Sequence, residues 1–562
     1  MTIKNHTKNK IHKLLVLIFL ILDIGLSQTL KEYGLFYSVA YFEPQQINPI
    51  YGNYYLEGVQ VNELMYSRLW TWKKDISETS DLVDNITPSS FGKMIRTPSA
   101  GQFDFSWNVQ IRPNLRWPDS APLTSEDIKY SFELYASDIT QHSLKPWLRL
   151  IKRIEIINST TLRFYVDQKN LRIVQYILPL VQILPKHKIP TNYLPRNSDF
   201  TKYPMGSGPF QYNPTLNVGE NKYTFVRNRE YYKSSSLANI SSVNLYVERV
   251  LSSVISLITV ENRREDWGTL DLLISVPTSP INFEALYNKG KDHLTFETYS
   301  SNSWYAIAFN CEKPALANPE IRKALTLGVD IQQAINDRYT NVQVGGSEEA
   351  IAKRISGPFN PLWGIGDATL LPMAYNQKEA ESILNNNHFT VKNGQRQFEG
   401  KPVKLKLIYN IGRVFQGSPE ELVISDLIAD LRRLNIDVQP KGLPASDFEK
   451  NLENGDYDLA FQYYELGYGS NISPLFTKGN KMNISNYTDP ILSTYLEKFN
   501  NASGVQRSVL GRDIHKLIYA KSPYIFLYRL DKIMAYRKEL ITEGEIVPKY
   551  FFTHIGQWYF RD

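Results

Sequence analysis

A chain of 562 residues exceeds what one hydrophobic core sustains, since single cores stop growing at roughly 250–300 residues and longer chains divide. With 42% hydrophobic and 21% charged residues, 30 Gly and 30 Pro, the composition excludes a disordered tail protein, a collagen and a coiled coil. The formal charge of +6 includes four lysines within the first thirteen residues (Lys4, Lys8, Lys10, Lys13), so the remainder is near balance and gives a nucleic-acid role no electrostatic support.

The chain opens on a basic, polar stretch to Lys13, a wholly apolar run Leu14–Leu22 and the small residues Gly25 and Ser27. That order is the pattern of a secretory signal over 1–27, cut near Gln28. Nine apolar residues fall far short of the roughly 20 that span a bilayer, although an uncleaved anchor stays open. No cysteine follows the apolar core to carry a lipid, so a soluble protein outside the cytoplasm is expected. The absence of disulfides suits a bacterial envelope.

Beyond the signal, strand-like and helix-like patterns alternate, which predicts an α/β protein. Thr124 with Asp127 opens a helix carrying Ile128 and Phe132, and Asn318-Pro319 opens one carrying Ile321, Ala324, Leu325 and Val329. Asn376 with Glu379 opens another. Val403-Lys-Leu-Lys-Leu407 alternates as a half-buried strand, Ser418-Pro419-Glu420-Glu421 begins a helix with Ile424, Leu427, Leu431 and Leu434 on one face, and Ile436–Val438 resumes an extended pattern. No internal repeat or low-complexity linker interrupts the series.

Catalytic patterns are absent. The single cysteine, Cys311, ends an apolar run and reads as a small buried hydrophobe rather than a nucleophile. The eight histidines never stand at i, i+2 or i, i+4, so no local metal motif or cofactor is expected. Gly206-Ser207-Gly208 lacks the spacing of a nucleophile elbow, and Gly364-Ile-Gly366 lacks the third glycine of a phosphate cradle. What stands out is the aromatic content: 36 Tyr, 26 Phe and 9 Trp make 13% of the chain. Two clusters flank strand-like runs, Tyr299 with Trp304-Tyr305 and Tyr463-Tyr464 with Tyr468, and rings at strand ends suit either an α/β cleft or ordinary packing.

Several segments, in order, resemble the bacterial extracellular solute-binding proteins of family 5, the peptide- and nickel-type receptors of ABC importers. Arg116-Trp117-Pro-Asp-Ser-Ala-Pro-Leu-Thr124-Ser-Glu-Asp127-Ile-Lys-Tyr-Ser-Phe132 is similar to the family's W-x-D-G-x-P-L-T-A-x-D-V-x-Y-S-F, with Ser120 where glycine is usual. Pro204–Phe210 is similar to its P-x-G-T-G-P-Y turn, and Phe309-Asn310 running into Ile321-Arg322 and Val329-Asp330 to its F-N…V-R-x-A-L…D. Tyr375–Leu384, Asn486-Tyr-Thr-Asp-Pro490 and Ser522–Phe526 keep the family's order.

The resemblance implies a two-lobed periplasmic-binding-protein-like fold of the large three-subdomain type II form, with a hinge and an interlobe cleft. Residues 28–52, 183–299 and 521–562 would make the core of lobe I, 53–182 its accessory subdomain and 300–520 lobe II, with crossings near Tyr299 and Lys521. It implies a non-enzymatic, monomeric periplasmic receptor that hands a small solute, peptide by family default, to a permease without a cofactor. Its ligand-binding residues would be Tyr299, Trp304, Tyr305, Tyr464, Glu465, Gly467 and Tyr468. Peptide-binding members carry W-x-x-D where this chain reads Tyr464-Glu465-Leu466-Gly467; Gly467 thus occupies the place of the aspartate that binds the peptide ammonium. Either Glu465 takes over with a local shift, or the ligand is not a peptide; the bland alternative is that Glu465 is solvated on a loop. A secreted α/β hydrolase and a chaperone-like binder of extended chains remain the alternatives.

Overall fold

In a computed structural model of the chain the described residues run from 32 to 561, except 40–41, 43, 53–55, 74–77, 84–104, 141, 143, 168–169, 171–173, 175–176, 191–197, 218, 234–238, 277–279, 302, 340, 345–346, 360–363, 466–470, 503, 544–546 and 548–549. The expected signal, 1–27, lies outside them. Among the described residues no helix is long and apolar enough to cross a membrane.

Two mixed sheets organise the chain. The first has seven strands in the order Leu294–Tyr299, Lys532–Arg537, Leu272–Leu273, Tyr33–Val39, Ile240–Val247, Lys222–Arg227, Phe210–Tyr212. Tyr33–Val39 runs parallel to Ile240–Val247 and is buried along most of its length, as a strand covered on both faces is. The second has six strands in the order Ala352–Arg354, Tyr524–Leu530, Ser303–Phe309, Leu459–Glu465, Lys404–Asn410, Asp437–Leu443. Here Lys404–Asn410 and Asp437–Leu443 are parallel neighbours joined through the helix Pro419–Arg433, the strand–helix–strand unit expected from the sequence. A three-stranded sheet of Phe105–Gln110, Thr161–Val166 and Ile151–Asn158 has no core of its own, since Trp107 and Phe164 share one apolar cluster with Leu35 and Val243.

Helix starts follow their local chemistry. Thr124 and Asp127 close a full capping box at the head of Ser125–Ala136, and Asn318 Oδ1 accepts from Glu320 N at 2.9 Å. Asn376 Oδ1 likewise accepts from Glu379 N at 3.1 Å. Ser418 Oγ takes Glu421 N at 3.2 Å, but Glu421 Oε2 reaches back to Gly417 N at 2.6 Å, one residue before the cap. Each cap thereby satisfies an orphan donor of its first turn.

Two short crossings join the sheets. Tyr299 ends a strand of the first sheet and Ser303 begins one of the second. On the return, Asp531 alone separates Tyr524–Leu530 in the second sheet from Lys532–Arg537 in the first. The return crossing expected near Lys521 therefore falls at Asp531, because Tyr524–Leu530 pairs along Ser303–Phe309 and is carried into the second sheet by that ladder. Asp531 ties the crossings together: its Oδ1 accepts from Arg529 Nε at 2.7 Å and Ser300 Oγ at 3.2 Å, and its Oδ2 meets Lys353 Nζ at 3.0 Å.

Candidate functional site

The strands Lys404–Asn410 and Leu459–Glu465 run parallel and end at the crossings, beside the start of Ser303–Phe309, where Ser303 faces Glu465 in register. In α/β sheets the carboxyl ends of strands are where ligands bind. A strand alternates its side chains between faces, and that alternation sorts the aromatic residues expected here.

Trp304 and Tyr464 stand opposite each other in register and stack at 4.3 Å with planes 23° apart. Only 5% and 4% exposed, they pack on one face with Phe526 and Tyr524. Tyr305, the next residue, faces the other way, against Tyr463 at 5.2 Å and Tyr528 at 4.9 Å. The expected cluster Trp304-Tyr305 is thus split by the sheet itself. Tyr299 goes elsewhere again, since its ring is buried beside Phe551 and its hydroxyl donates to Ile274 O at 2.8 Å. Glu465, exposed at the end of its strand, acts on the hydroxyls of Tyr463 and, from the other lobe, Tyr550. Burial first and this carboxylate second push the Tyr463 hydroxyl up to about 12. Gly467 and Tyr468 lie outside the described residues.

The sequence reading missed the polar groups that complete this rim. Glu420, in the first turn of Pro419–Arg433, accepts at Oε1 from Tyr305 Oη at 3.1 Å and from Tyr339 Oη at 3.2 Å. Tyr339 and Tyr528 join their hydroxyls at 2.8 Å. In the sequence Glu420 reads only as part of a helix start; that such a helix follows a strand's carboxyl end is the signal that could have found it. In the loop before it, the exposed Arg413 guanidinium lies 4.7 Å over the Tyr463 ring, and Phe415 is 62% exposed. In the first lobe, buried Arg68 pairs with Glu63 and lies 5.0 Å over the ring of Tyr550, while Glu63 Oε2 accepts from Thr553 Oγ1 at 2.9 Å.

At the end of the second sheet, beside the crossings, Arg413, Glu420 and Glu465 thus stand with a belt of tyrosines. Groups of these kinds can hydrogen-bond to and pack against a polar organic molecule. Residues 104–486 match the model of the bacterial extracellular solute-binding proteins, family 5 (middle). The chain belongs to this family.

Among its relatives, the chain is similar to YejA of Escherichia coli, 20% identical over 507 residues, covering 82% of this chain and 74% of that one. A Brucella melitensis chain described as a binding protein is 23% identical over 394 residues, 62% of this chain; the match spans 60% of that relative's length. Two solved family structures share the fold. The oligopeptide-binding protein AppA of Bacillus subtilis, in complex with a nonapeptide, has a TM-score of 0.66 at 17% identity, covering 95% of this chain and 100% of that one. NikA of Brucella suis, in complex with Fe(III)-EDTA, has a TM-score of 0.74 at 16% identity, covering 94% and 100%.

The family motifs of this chain prove to be scaffolding. Asn310 Nδ2 donates to Tyr457 O at 3.1 Å, and Asn486 Nδ2 to Asn310 Oδ1 at 3.2 Å, so two motifs far apart in sequence lock each other. Asp489 caps the helix Pro490–Asn501. Arg322, buried, donates to the carbonyls of Leu316, Ala317, Lys521 and Ser522. Cys311 Sγ meets Phe309 O at 3.6 Å, and burial pushes its thiol up to about 11, as suits packing rather than attack.

Proposed function

We propose that this chain is the exported receptor of an ABC importer, closing two lobes on a small organic solute and yielding it unchanged to a membrane permease. The observation that carries the reading is the rim just described, set where two single-pass crossings join the sheets. Rotation there needs only the few residues at Tyr299–Ser303 and Asp531, and a ligand touching both lobes stabilises the closed form. Periplasmic location, a monomeric state and the absence of catalysis belong to the same proposal.

Peptide is the first candidate for the solute. Arg413 suits a carboxylate, Glu420 and Glu465 suit an ammonium, and Tyr305 and Tyr463 provide flat apolar walls between them. Gly467 removes the carboxylate that peptide-binding members place there, so the ligand's cation is assigned to Glu465, with Trp304 and Tyr464 backing the strand behind it. Tyr299 acts through the crossing it anchors.

A thermal-shift screen of the exported chain against short peptides, sugars, opines and metal chelates tests this. A ligand at a hundredfold its Kd adds about 2.7 kcal/mol to the folded state, so a saturable rise with peptides supports the reading. Turnover of peptide or ester pools, abolished by one side-chain change, would replace it with the hydrolase.

A further inference from the structure

Glu420 and Glu465 share the rim, and the cation assigned to Glu465 leaves Glu420 over. Ser303 faces Glu465 in register, and Tyr305 faces Tyr463 on one side and Tyr528 on the other, so alternation sets Glu465, Tyr463, Tyr305 and Tyr528 on one face of the second sheet. The helix Pro419–Arg433 covers that face, its Ile424 and Leu427 sharing one apolar cluster with Ile307, Phe461 and Tyr528. Glu420 thus meets the sheet at Tyr305, while Glu465 lies two residues, about 7 Å, beyond Tyr463 along its strand.

The hydroxyl protons around Glu420 run toward it. Tyr305 and Tyr339 donate to Oε1 at 3.1 and 3.2 Å; with its one proton committed there, Tyr339 accepts from Tyr528 at 2.8 Å. Burial first, with the charge of Glu420 among the further causes, pushes all three hydroxyls far up. They therefore remain neutral donors, which orient the carboxylate without cancelling its charge. Among the described residues Glu420 forms no ion pair, and Oε2, which takes no hydrogen bond, is not sealed from solvent. Asp330 and Asp458, half-buried and also without an ion pair among the described residues, are occupied by backbone instead, accepting from Gln333 N at 3.1 Å and from Lys406 N at 2.8 Å. Arg413 lies over the Tyr463 ring rather than against Glu420.

We propose that Glu420 is a specificity-determining residue of the solute site, its Oε2 taking the ammonium or guanidinium of a basic side chain, so that the receptor prefers peptides carrying a lysine or arginine. This rests on the peptide-receptor reading above. The α-ammonium goes to Glu465, and the stem of the basic side chain lies along the half-buried rings of Tyr305 and Tyr463, as long charged side chains lie on apolar surface. Tyr305 and Tyr339 are positioning residues for Glu420.

The test is calorimetric titration of the whole exported chain at low salt with Ala-Lys-Ala and with Ala-norleucine-Ala, which keeps the stem without the charge. The lysine peptide should bind roughly 10- to 150-fold tighter, the charged share of one hydrogen bond. In E420Q, whose amide oxygen still accepts from both phenols, that preference should vanish, whereas E465Q should weaken both peptides and keep it. A second measurement needs no variant: carbodiimide coupling of bound Ala-Lys-Ala to the wild-type chain should join the lysine amine to the Glu420 carboxyl, read by mass spectrometry of the digest. Equal binding of the two peptides, a preference that survives E420Q, or coupling of the lysine amine only to other carboxylates would overturn the inference and leave the receptor reading standing. Binding of neither peptide would remove both.

Discussion

Glu420 and Glu465 are both carboxylates at one rim, yet they do different work. Glu420 holds two phenols, at 3.1 and 3.2 Å, whereas Glu465 is exposed at a strand end. The substitution E465Q should leave melting within about 0.5 kcal/mol of wild type, as exposed changes do, while weakening binding of a lysine-containing tripeptide. The expected loss is the charged share of one hydrogen bond, about 1.5–3 kcal/mol or roughly 10- to 150-fold in Kd. Calorimetric titration at low salt measures it, and an unchanged Kd removes Glu465 from the site. His142 supplies a second prediction at this scale. Buried beside Tyr135, with Nδ1 accepting from Leu144 N, it is held down to about 4 by burial. Since the unfolded chain takes up that proton near pH 6.5 and the folded one does not, stability must fall as pH drops from about 6.5 towards 4. In H142N that part of the slope should vanish, as denaturant melts across this range will show; an unaltered slope would deny the burial argument.

Among the elements, the turn Pro204–Phe210 explains why its glycines stand where they do. A Cβ on Gly206 would lie 1.9 Å from Met65 O, and one on Gly208 would lie 2.5 Å from Met65 C; Gly208 N donates to Met65 O at 2.7 Å. Backbone meets backbone there, so G208A should cost at least about 1–3 kcal/mol, read as a lower denaturation midpoint. Ser120 makes the opposite case, with φ of 65° at a position where the family usually has glycine. A left-handed L-residue costs roughly 1–2 kcal/mol and glycine's extra chain entropy roughly 0.5–1, so S120G should stabilise the chain by about 0.5–1 kcal/mol; a fall in stability would contradict this. The helix starts at Thr124, Asn318, Asn376 and Ser418 were legible because a cap is settled by residues within one turn. The rim was less so. Trp304 and Tyr305 are neighbours in sequence but not in space, and only the ladder to Leu459–Glu465 decides which ring faces which side.

For the molecule as a whole, the number of lobes was legible from length and motif order, whereas the return crossing was not. Pairing of Tyr524–Leu530 with Ser303–Phe309 joins residues more than two hundred positions apart, which no local pattern encodes. The consequence is that Asp531, with Arg529, Lys353 and Ser300, sits where both passes meet. Replacing it in D531N leaves the largely buried Arg529 without its carboxylate and should cost roughly 3 kcal/mol, with a larger radius of gyration in the unliganded state as the crossings lose their common tie. The most direct measurement for the central claim is small-angle scattering of the exported chain with and without a tripeptide pool, with the pool recovered and weighed by mass spectrometry. A smaller radius of gyration on adding peptides, which then come back intact, is the result expected of a clamp that releases what it holds. Peptides bound with no contraction, or returned cut, would contradict it.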